Sequence, residues 1–378
     1  MEFQLSDKAK DYIARTKAFI QTEIEPIEAE FWQAAHKLNP TGDWTTWQWP
    51  AKLEELKTKA RAQNLWNMFL PDEQLGQGLS VQEYAHIAEL SGRSLIAPHV
   101  FNCNAPDSGN MELIWRYGND AQKQQWLTPL LAGEIRSVFG MTEPAVASSD
   151  ATNMQATAIV EGDEIVLNGR KWWSSGLGDP NAKLIIFMAH TPDERKDRHH
   201  QHTMVLVPID AKGVKIERML KVFNDYDAPH GHGEMRFDNV RVPLSNVIGG
   251  AGEGFAIAQG RLGPGRIHHC LRCVGAAEKS LELAIDRGLS RSAFGKPLLD
   301  LGGNRERIAD ARVKIDQARL LTLYAAYKMD KLGTKAALTE ISAIKVVAPT
   351  VLQEVVDMAI QLHGGMGVSQ DTLLPMFF

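Results

Sequence analysis

The spacing of apolar residues changes twice along the chain and divides it into three parts. Up to about residue 135 the apolar positions recur every three to four residues, which predicts amphipathic helices. Ser6 and Asp7 predict the start of the first helix, and Pro26 interrupts its pattern. Gly133 predicts the end of the last one. The further predicted helices cover residues 51–64, 80–91, 109–117 and 120–132.

From Val138 to about Val247 the apolar positions alternate, which predicts short strands. The turn at Glu161-Gly162-Asp163 predicts a hairpin between its two flanking runs. Many short strands joined by turns are typical of a small antiparallel β-barrel or sandwich. The predicted strands cover residues 155–160, 164–167, 183–189, 203–209, 213–218, 233–237 and 239–243.

After Phe255 the helical spacing returns in three long stripes, with Pro349 inside the third. Three such helices require a fourth to close a bundle, and Asp371 is positioned to cap it. The fold class predicted is therefore α+β and multidomain. An N-terminal helical domain (residues 1–135) precedes a middle antiparallel β-domain (136–247) and a C-terminal helical bundle (248–378) that lacks its last part.

Composition restricts the class of protein. Of 378 residues, 44% are hydrophobic and 23% charged, which is ordinary for a globular protein. The net charge of −5 predicts no nucleic-acid partner, and no apolar run is long enough to predict a membrane span. The first residues do not resemble a secretion signal, and three cysteines cannot form a disulfide framework. We expect a reducing compartment, namely the cytoplasm of a bacterium or the mitochondrion or peroxisome of a eukaryote.

Two polar stretches carry the candidate chemistry. Residues 140–153 combine small residues with the hydroxyls of Thr142, Ser148 and Ser149. In residues 168–176 an Asn-Gly pair, read as a turn, leads into two tryptophans and then two serines, which suits a planar polar ring such as a flavin. An equally open alternative is a tryptophan of a β-core beside an ordinary loop.

Two later segments suggest phosphate contacts. Arg291 with Phe294 could bind a pyrophosphate and pack near an adenine, or could simply form a helix end with surface cations. Residues 361–367 form a glycine-rich turn that could give backbone donors to a phosphate, but they are not a dinucleotide-binding fingerprint. The histidine groups and the Cys270–Cys273 pair lack the partners of a metal site, so we predict none.

Six segments together resemble the acyl-CoA dehydrogenase family over essentially the whole chain. They are Gly140-Met-Thr-Glu-Pro144 with Ser149-Asp150, Lys171-Trp-Trp-Ser-Ser175, Phe237-Asp-Asn-Val-Arg-Val-Pro243, Gly252-Glu-Gly-Phe255, Arg291 with Phe294-Gly295, and Gln361 with Gly364-Gly365 and Gly367. Residues 147–153, 172–175 and 260–270 are most similar to the branch that contains family members ten and eleven.

The resemblance implies FAD as cofactor, bound between the middle and last domains of a homodimer or homotetramer. It implies that Trp173 packs on the flavin edge and that Ser175 lies near the reactive nitrogen. The implied cofactor-binding residues are Phe139, Met141, Thr142, Ser148, Ser149, Trp173, Ser174, Ser175, Arg291, Phe294, Gln361, Gly364 and Gly365, of which Arg291, Phe294, Gln361 and Gly365 would reach the FAD of a neighbouring subunit. The implied substrate-binding residues are Ser149, Gly263, Pro264 and Arg266, the last three in a turn.

The implied reaction is α,β-dehydrogenation of a fatty acyl-CoA in β-oxidation, with electron-transferring flavoprotein as acceptor. A carboxylate takes the α-proton while a hydride leaves the β-carbon, and hydrogen bonds to the thioester oxygen stabilise the enolate.

The sequence departs from the family at two points. The loop between Glu143 and Asp150 is one residue longer than usual. One position of the family's base corresponds to Gly265, which has no side chain, and we expect the other beyond Phe378 in a longer chain. An acyl-CoA oxidase and a non-catalytic flavin- or acyl-CoA-binding protein remain alternative hypotheses.

Overall fold

The structure is a computed structural model that describes residues 4–193 and 195–378. The chain forms two compact units, and neither is continuous in sequence. One unit, the helical unit, consists of the segment that ends at Phe31 together with Glu54–Phe101 and Gly263–Phe378. The other, the sheet unit, consists of Trp32–Leu53 and Asn102–Leu262. The three predicted domain ranges stay a prediction.

The N-terminal third is helical, as its spacing predicts, and its helix ends carry the expected caps. Ser6 accepts a hydrogen bond from the backbone of Ala9, and Ser80 forms a reciprocal capping box with Glu83. Gly133 ends the last helix in the left-handed conformation. The helices are α1 Asp7–Phe19, α2 Glu28–Leu38, α3 Lys52–Ala62, α4 Val81–Gly92, α5 Ala97–Val100, α6 Asp107–Tyr117, α7 Asp120–Gln122 and α8 Thr128–Ala132.

The sheet unit is built on seven strands. They are β1 Arg136–Gly140, β2 Thr157–Glu161, β3 Glu164–Ser175, β4 Ala182–His190, β5 His202–Pro208, β6 Val214–Leu220 and β7 His232–Pro243. Their order is β1-β4-β2-β3-β7-β6, with β5 also on β4. β1 is parallel to β4, whereas β2–β3, β3–β7, β6–β7 and β4–β5 are antiparallel pairs. Alternate side chains form one core, in which the ring centroids of Phe187 and Phe237 lie 4.2 Å apart.

Two details of the predicted sheet are wrong. The Asn168-Gly169 pair is not a turn, because β3 runs through it. Gly169 is required there since a side chain would approach the Cβ of Ala156 to 2.4 Å. The strands predicted at residues 233–237 and 239–243 are one strand, β7, interrupted by a bulge at which Asn239 has a φ of +49°.

The C-terminal third contains three long helices and one short hairpin. The elements are α9 Gly254–Ser290, β8 Ser292–Ala293, β9 Lys296–Pro297, α10 Asn304–Leu332, α11 Leu338–His363 and α12 Leu374–Phe377. Apolar side chains of α9, α10 and α11 share a core that includes Leu281, Ile315 and Val355. None of the helices in the described parts of the chain combines the length and apolarity that crossing a membrane requires.

Two predictions for these helices are wrong. The turn predicted at Gly263–Arg266 does not form, since α9 is helical throughout and includes Pro264, whose missing N–H removes one hydrogen bond. Asp371 does not cap α12, because the residue before that helix is Leu373 and the Asp371 carboxylate instead accepts from Ser369 Oγ.

Within the helical unit, α4 is held by residues far along the chain. The carboxylate of Asp330 on α10 accepts hydrogen bonds from the N–H groups of Val81 and Gln82, the first of them at 3.1 Å. Its negative charge stands at the positive end of the α4 dipole. At the other end, Gly92 and Gly275 allow the backbones of α4 and α9 to touch, because an added Cβ would lie 2.2 Å from Arg272 O or 1.9 Å from Glu89 O.

Candidate functional site

A buried ion pair fixes the loop that follows β1. Lys171 and Glu143 are both buried, and Nζ of Lys171 lies 2.7 Å from Oε1 of Glu143 and 3.0 Å from the carbonyl oxygen of Met141. The Glu143 carboxylate also accepts from the N–H groups of Gln155 and Ala156. The two ends of the loop between residues 141 and 156 are thereby tied to β3.

Burial decides the electrostatics of this pair. It lowers the pKa of Lys171 to about 8, and the charge of Glu143 opposes that change. A buried pair of this kind is costly to break, because the partner that remains is an uncompensated charge. The pair therefore fixes the backbone that presents Met141 and Thr142.

Two further hydrogen bonds complete the loop. The carbonyl oxygen of Thr142 accepts from the N–H of Trp172 at 3.0 Å. Oγ of Ser148 accepts from the N–H of Glu143 at 2.9 Å. The predicted residues Met141, Thr142 and Ser148 therefore lie against the end of β3, whereas Ser149 is exposed on the same loop.

A β-bulge turns the second tryptophan outwards. Lys171 pairs with Met235 and Ser174 with Gly233, so three residue steps on β3 face two on β7. Inside this bulge Trp173 has a φ of +50° and an indole that is 42% exposed. A left-handed backbone at a residue with a large side chain costs about 1–2 kcal/mol. Strain of this kind concentrates at functional positions.

The two serines after the bulge differ in their partners. Ser174 is buried, and its Oγ has no hydrogen-bond partner among residues 4–193 and 195–378. Ser175 is half-buried, and its Oγ lies 2.9 Å from Nδ1 of His232. Nε2 of the same ring lies 3.3 Å from a carboxylate oxygen of Asp227. An exposed indole, an orphaned hydroxyl and a hydrogen-bonded hydroxyl thus occupy three consecutive positions.

A partly buried arginine lies against Phe139 on β1. The Arg261 guanidinium carbon is 3.9 Å from the centroid of the Phe139 ring, and the guanidinium donates to Oδ1 of Asn110 at 2.8 and 3.0 Å. Burial lowers the pKa of Arg261 to about 10, although Glu112 and Asp107 favour its charge. Phe139 is therefore held by a cation–π contact.

The remaining predicted residues belong to the helical unit. The hairpin β8–β9 turns at Phe294 and Gly295, which have φ values of +52° and +79°. The Phe294 side chain is 95% exposed, and Arg291 just before the hairpin is exposed as well. An aromatic side chain displayed on a tight turn is a candidate contact for a ligand or a second chain.

The glycine-rich segment and the predicted substrate residues lie on two helices. Gln361 is exposed on α11, and Gly364 ends that helix with a φ of +64°, followed by Gly365. Gly263, Pro264 and Arg266 lie within α9. Gly265, at one of the two positions of the family's base, also lies within α9 and has no side chain.

The structure thus brings together part of the predicted set. Phe139, Met141, Thr142, Ser148, Ser149 and residues 173–175 lie in the sheet unit, and the other predicted residues lie in the helical unit. A groove of about 680 Å³ borders the loop at Pro144 and Ala145. None of the predicted cofactor-binding residues lines it, so cavity volume alone does not select the site.

The groups of histidine and cysteine residues noted in the sequence do not gather into a metal site in the described parts of the chain. Across residues 4–193 and 195–378 no cluster of three or more histidine, cysteine, aspartate or glutamate side chains could hold a metal ion. His200 instead bonds the carboxylate of Asp197 at 2.8 Å on the surface. Burial raises the pKa of the Cys270 thiol to about 12, which makes it a poor nucleophile.

Sequence reasoning missed the residues that support the site. Lys171 and Glu143 were visible only as parts of longer motifs, although a lysine at an inward position of a strand already requires a buried partner. Arg261 gave no signal. His232 was considered as a metal ligand, and its contact with Ser175 spans 57 residues of chain.

Comparison with known proteins covers almost the whole chain. The model of the acyl-CoA dehydrogenase N-terminal domain matches residues 6–134, that of the middle domain residues 138–240, and that of the C-terminal domain residues 252–378. A probable acyl-CoA dehydrogenase of Mycobacterium tuberculosis is 49% identical over 380 residues, which cover 100% of this chain and 91% of that protein.

Acyl-CoA dehydrogenase family member 11 of Gallus gallus is 48% identical over 377 residues, covering 100% of this chain but 48% of that protein. The chain thus spans about half the length of that relative. A solved structure from Mycobacterium abscessus has a TM-score of 0.95 and 56% identity, and the match covers 99% of this chain and 92% of that one. These matches confirm the predicted fold class and the predicted resemblance.

Proposed function

Because the chain belongs to the acyl-CoA dehydrogenase family, we propose that it catalyses the FAD-dependent α,β-dehydrogenation of a fatty acyl-CoA. An oxidoreductase acting on acyl-CoA agrees with the family membership. The observation that carries the proposal is the bulge on β3, which presents the strained indole of Trp173 beside the hydroxyls of Ser174 and Ser175. A flat aromatic wall next to hydroxyls suits a planar ring with polar edges.

The residues of the sheet unit fit FAD in two respects. The Ser174 hydroxyl is buried without a partner in the described part of the chain, so it is available to a ligand atom. The half-exposed indole offers apolar surface that a ring would cover. Bound here, FAD would supply the hydride acceptor of the reaction. Residues 141, 142, 148 and 173–175 would hold the ring system, and Phe139 would pack beside it.

The predicted residues of the helical unit would contact the FAD of a second copy or the substrate. Arg291, Phe294, Gln361, Gly364 and Gly365 would hold the FAD of a second copy of the chain. Arg266 would contact the acyl-CoA. The exposed phenyl ring of Phe294 supports this assignment, because it is displayed outward on a rigid turn. A homodimer or homotetramer, with electron-transferring flavoprotein as the acceptor, belongs to the proposal.

The proposal is tested with purified protein that carries its flavin. Saturated acyl-CoAs of several chain lengths are added without oxygen, the flavin absorbance is followed, and the products are identified by mass spectrometry. The expected result is loss of the flavin absorbance together with an enoyl-CoA two mass units lighter than the substrate. Protein that contains FAD but is not bleached by any acyl-CoA would contradict the proposal and favour a non-catalytic binding protein. Rapid oxygen consumption on addition of substrate would instead indicate an oxidase.

A further inference from the structure

Three side chains in contact, Asp227, His232 and Ser175, form a row that leads from the protein surface inwards. Asp227, whose side chain is 45% exposed, lies 3.3 Å from Nε2 of His232. Nδ1 of His232 lies 2.9 Å from Oγ of Ser175. The imidazole also lies beside Trp173, with ring centroids 6.1 Å apart. The row of side chains therefore ends at Ser175, beside the position that the proposed function gives to the cofactor.

Asp227 favours one arrangement of protons on the ring. Because an ionised carboxylate only accepts hydrogen bonds and lies 3.3 Å from Nε2 of His232, it favours a hydrogen on that nitrogen in both protonation states of the ring. In the neutral ring Nδ1 accepts the hydroxyl hydrogen of Ser175, whose oxygen then offers only lone pairs to a ligand. In the cation Nδ1–H donates to Oγ, and the hydroxyl hydrogen of Ser175 is free to point at a ligand. One proton on His232 thus changes Ser175 from an acceptor to a donor of a hydrogen bond to the ligand.

We propose that His232, held by Asp227, is a positioning residue that sets whether Ser175 donates a hydrogen bond to the cofactor or accepts one from it. The inference rests on the proposed function and on the family resemblance, which implies that Ser175 lies near the reactive nitrogen of FAD. That nitrogen is an acceptor in the oxidised ring and carries a hydrogen in the reduced ring. Oxidised cofactor therefore favours the His232 cation, and reduced cofactor favours the neutral imidazole.

In this coupling between His232 and the cofactor, each hydrogen that moves has a defined destination. When the cofactor is reduced, the Nδ1 proton of His232 passes to solvent and the hydroxyl hydrogen of Ser175 turns from the cofactor to Nδ1. Protonation of His232 and the redox state of the cofactor then influence each other by the same factor.

Two titratable side chains stand beside the His232 ring. They are Asp227 and His230, both from the loop before β7, and the centroid of the His230 ring lies 6.4 Å from that of His232. From β3 the ring meets Ser175 and Trp173, and its register partner on β6 is the apolar Leu220.

The three residue types also form the nucleophile system of serine hydrolases, but with a different ring orientation. There Nε2 faces the serine and Nδ1 the carboxylate. In this protein Nδ1 faces Ser175 and Nε2 faces Asp227. We therefore assign these three side chains a role in setting the direction of a hydrogen bond, and not a role in which Ser175 attacks a substrate.

The test measures binding of oxidised and of chemically reduced FAD to cofactor-free protein between about pH 5.5 and 8.5, a range centred near the ordinary histidine titration. Wild type is expected to bind oxidised FAD about three- to tenfold more tightly as His232 becomes protonated, the effect of one hydrogen bond. Reduced FAD is expected to show the opposite trend. His232→Gln and Ser175→Ala should both lose the dependence, whereas the matched control His230→Gln should keep it.

A second measurement does not involve the cofactor. In the cofactor-free protein with labelled histidines, the nitrogen resonances show which ring nitrogen of neutral His232 carries the hydrogen. That nitrogen should be Nε2 in wild type, and a larger share of Nδ1–H should occur in Asp227→Asn, where the carboxylate beside Nε2 is gone. Circular dichroism and thermal unfolding show whether each variant is folded. Equal pH dependence of FAD binding in wild type and His232→Gln, or an unchanged position of the ring hydrogen in Asp227→Asn, would overturn the inference alone. Absence of FAD binding at every pH would overturn the proposed function, and the inference with it.

Discussion

At the residue scale, the site depends on side chains in conformations that they rarely adopt unaided. Trp173 has a left-handed backbone inside a bulge, and Lys171 is a buried cation within a strand. Both are unfavourable in isolation, and both are held by the neighbouring structure: the register with β7 in one case and Glu143 in the other. The sequence identified Trp173 by its neighbours, but its strain follows from strand register, which a single sequence does not reveal.

Trp173→Gly separates backbone strain from ring contact. Glycine adopts a positive φ without penalty, and the indole is only partly buried, so the free energy of unfolding should stay level or rise by up to about 1 kcal/mol. FAD affinity should fall at least about tenfold through loss of the aromatic wall. Thermal unfolding and FAD titration measure the two effects. The control Trp173→Phe keeps both strain and a ring, and equal FAD affinity of Trp173→Gly and wild type would contradict the assignment.

Lys171→Met removes one partner of the buried pair. The Glu143 carboxylate is then left buried without its cation, and the free energy of unfolding should fall by about 3–5 kcal/mol. Urea unfolding measures the loss.

The double variant Lys171→Met with Glu143→Gln is the control for this prediction. The glutamine oxygen can still accept from Gln155 and Ala156, and the buried charge is gone, so much of the lost stability should return. A loss below about 1 kcal/mol in Lys171→Met would mean that the pair does not fix the loop.

At the scale of elements, regular spacing was predictable and interruptions were not. The hairpin β2–β3 follows directly from alternation and the Glu161–Asp163 turn. Asn168-Gly169 and Asp238-Asn239 carry turn residues, yet the structure uses them for a close approach and for a bulge inside paired strands. Pro264 likewise suggested a turn within what is one helix. Local chemistry marks an irregular position, but the neighbouring strands or helices decide its form.

The contact of α4 with α9 depends on a glycine whose role is steric. In Gly275→Ala the new Cβ would lie 1.9 Å from the carbonyl oxygen of Glu89, a backbone atom that cannot move alone. We expect a loss of at least about 1–3 kcal/mol in the free energy of unfolding. Gly265→Ala, on the same helix with no atom within 4 Å, is the matched control and should gain up to about 1 kcal/mol. Equal effects of the two substitutions in urea unfolding would show that helix propensity, not contact, governs both.

At the scale of the whole molecule, neither unit corresponds to a continuous range of sequence. The change of apolar spacing predicts where helices and strands occur, and the family comparison agrees with that order. It does not predict which helices pack together, because that depends on contacts between distant residues. Arg319 on α10, for instance, bonds Glu89 on α4 across 230 residues. The candidate site was predictable as motifs, and its supporting pairs were not.

Acid should destabilise the protein through buried histidines in both units. Burial lowers the pKa of His268 well below 6.5, and it also lowers the pKa of His86 and of His202. Below about pH 6.5 the unfolded chain therefore binds more protons than the folded one, so this stability is present above that pH and is lost as the pH falls towards the folded pKa values.

Urea unfolding between pH 7.5 and 5, a span around the ordinary histidine titration, measures this decline. His268→Gln replaces a ring held neutral in the folded state by a side chain that does not titrate. Its stability should therefore decline less over the same range. Equal slopes for wild type and variant would contradict the role of His268.

The interleaved order of the two units has a consequence for synthesis on the ribosome. The segments of the sheet unit are complete once Leu262 has emerged, whereas α4 must wait for Asp330, 249 residues after Val81. At ordinary rates of translation that interval is on the order of ten to fifty seconds. During it, the face of α4 that packs against α10 stays uncovered. The nascent chain therefore exposes that face of α4, and we expect chaperones to bind it there.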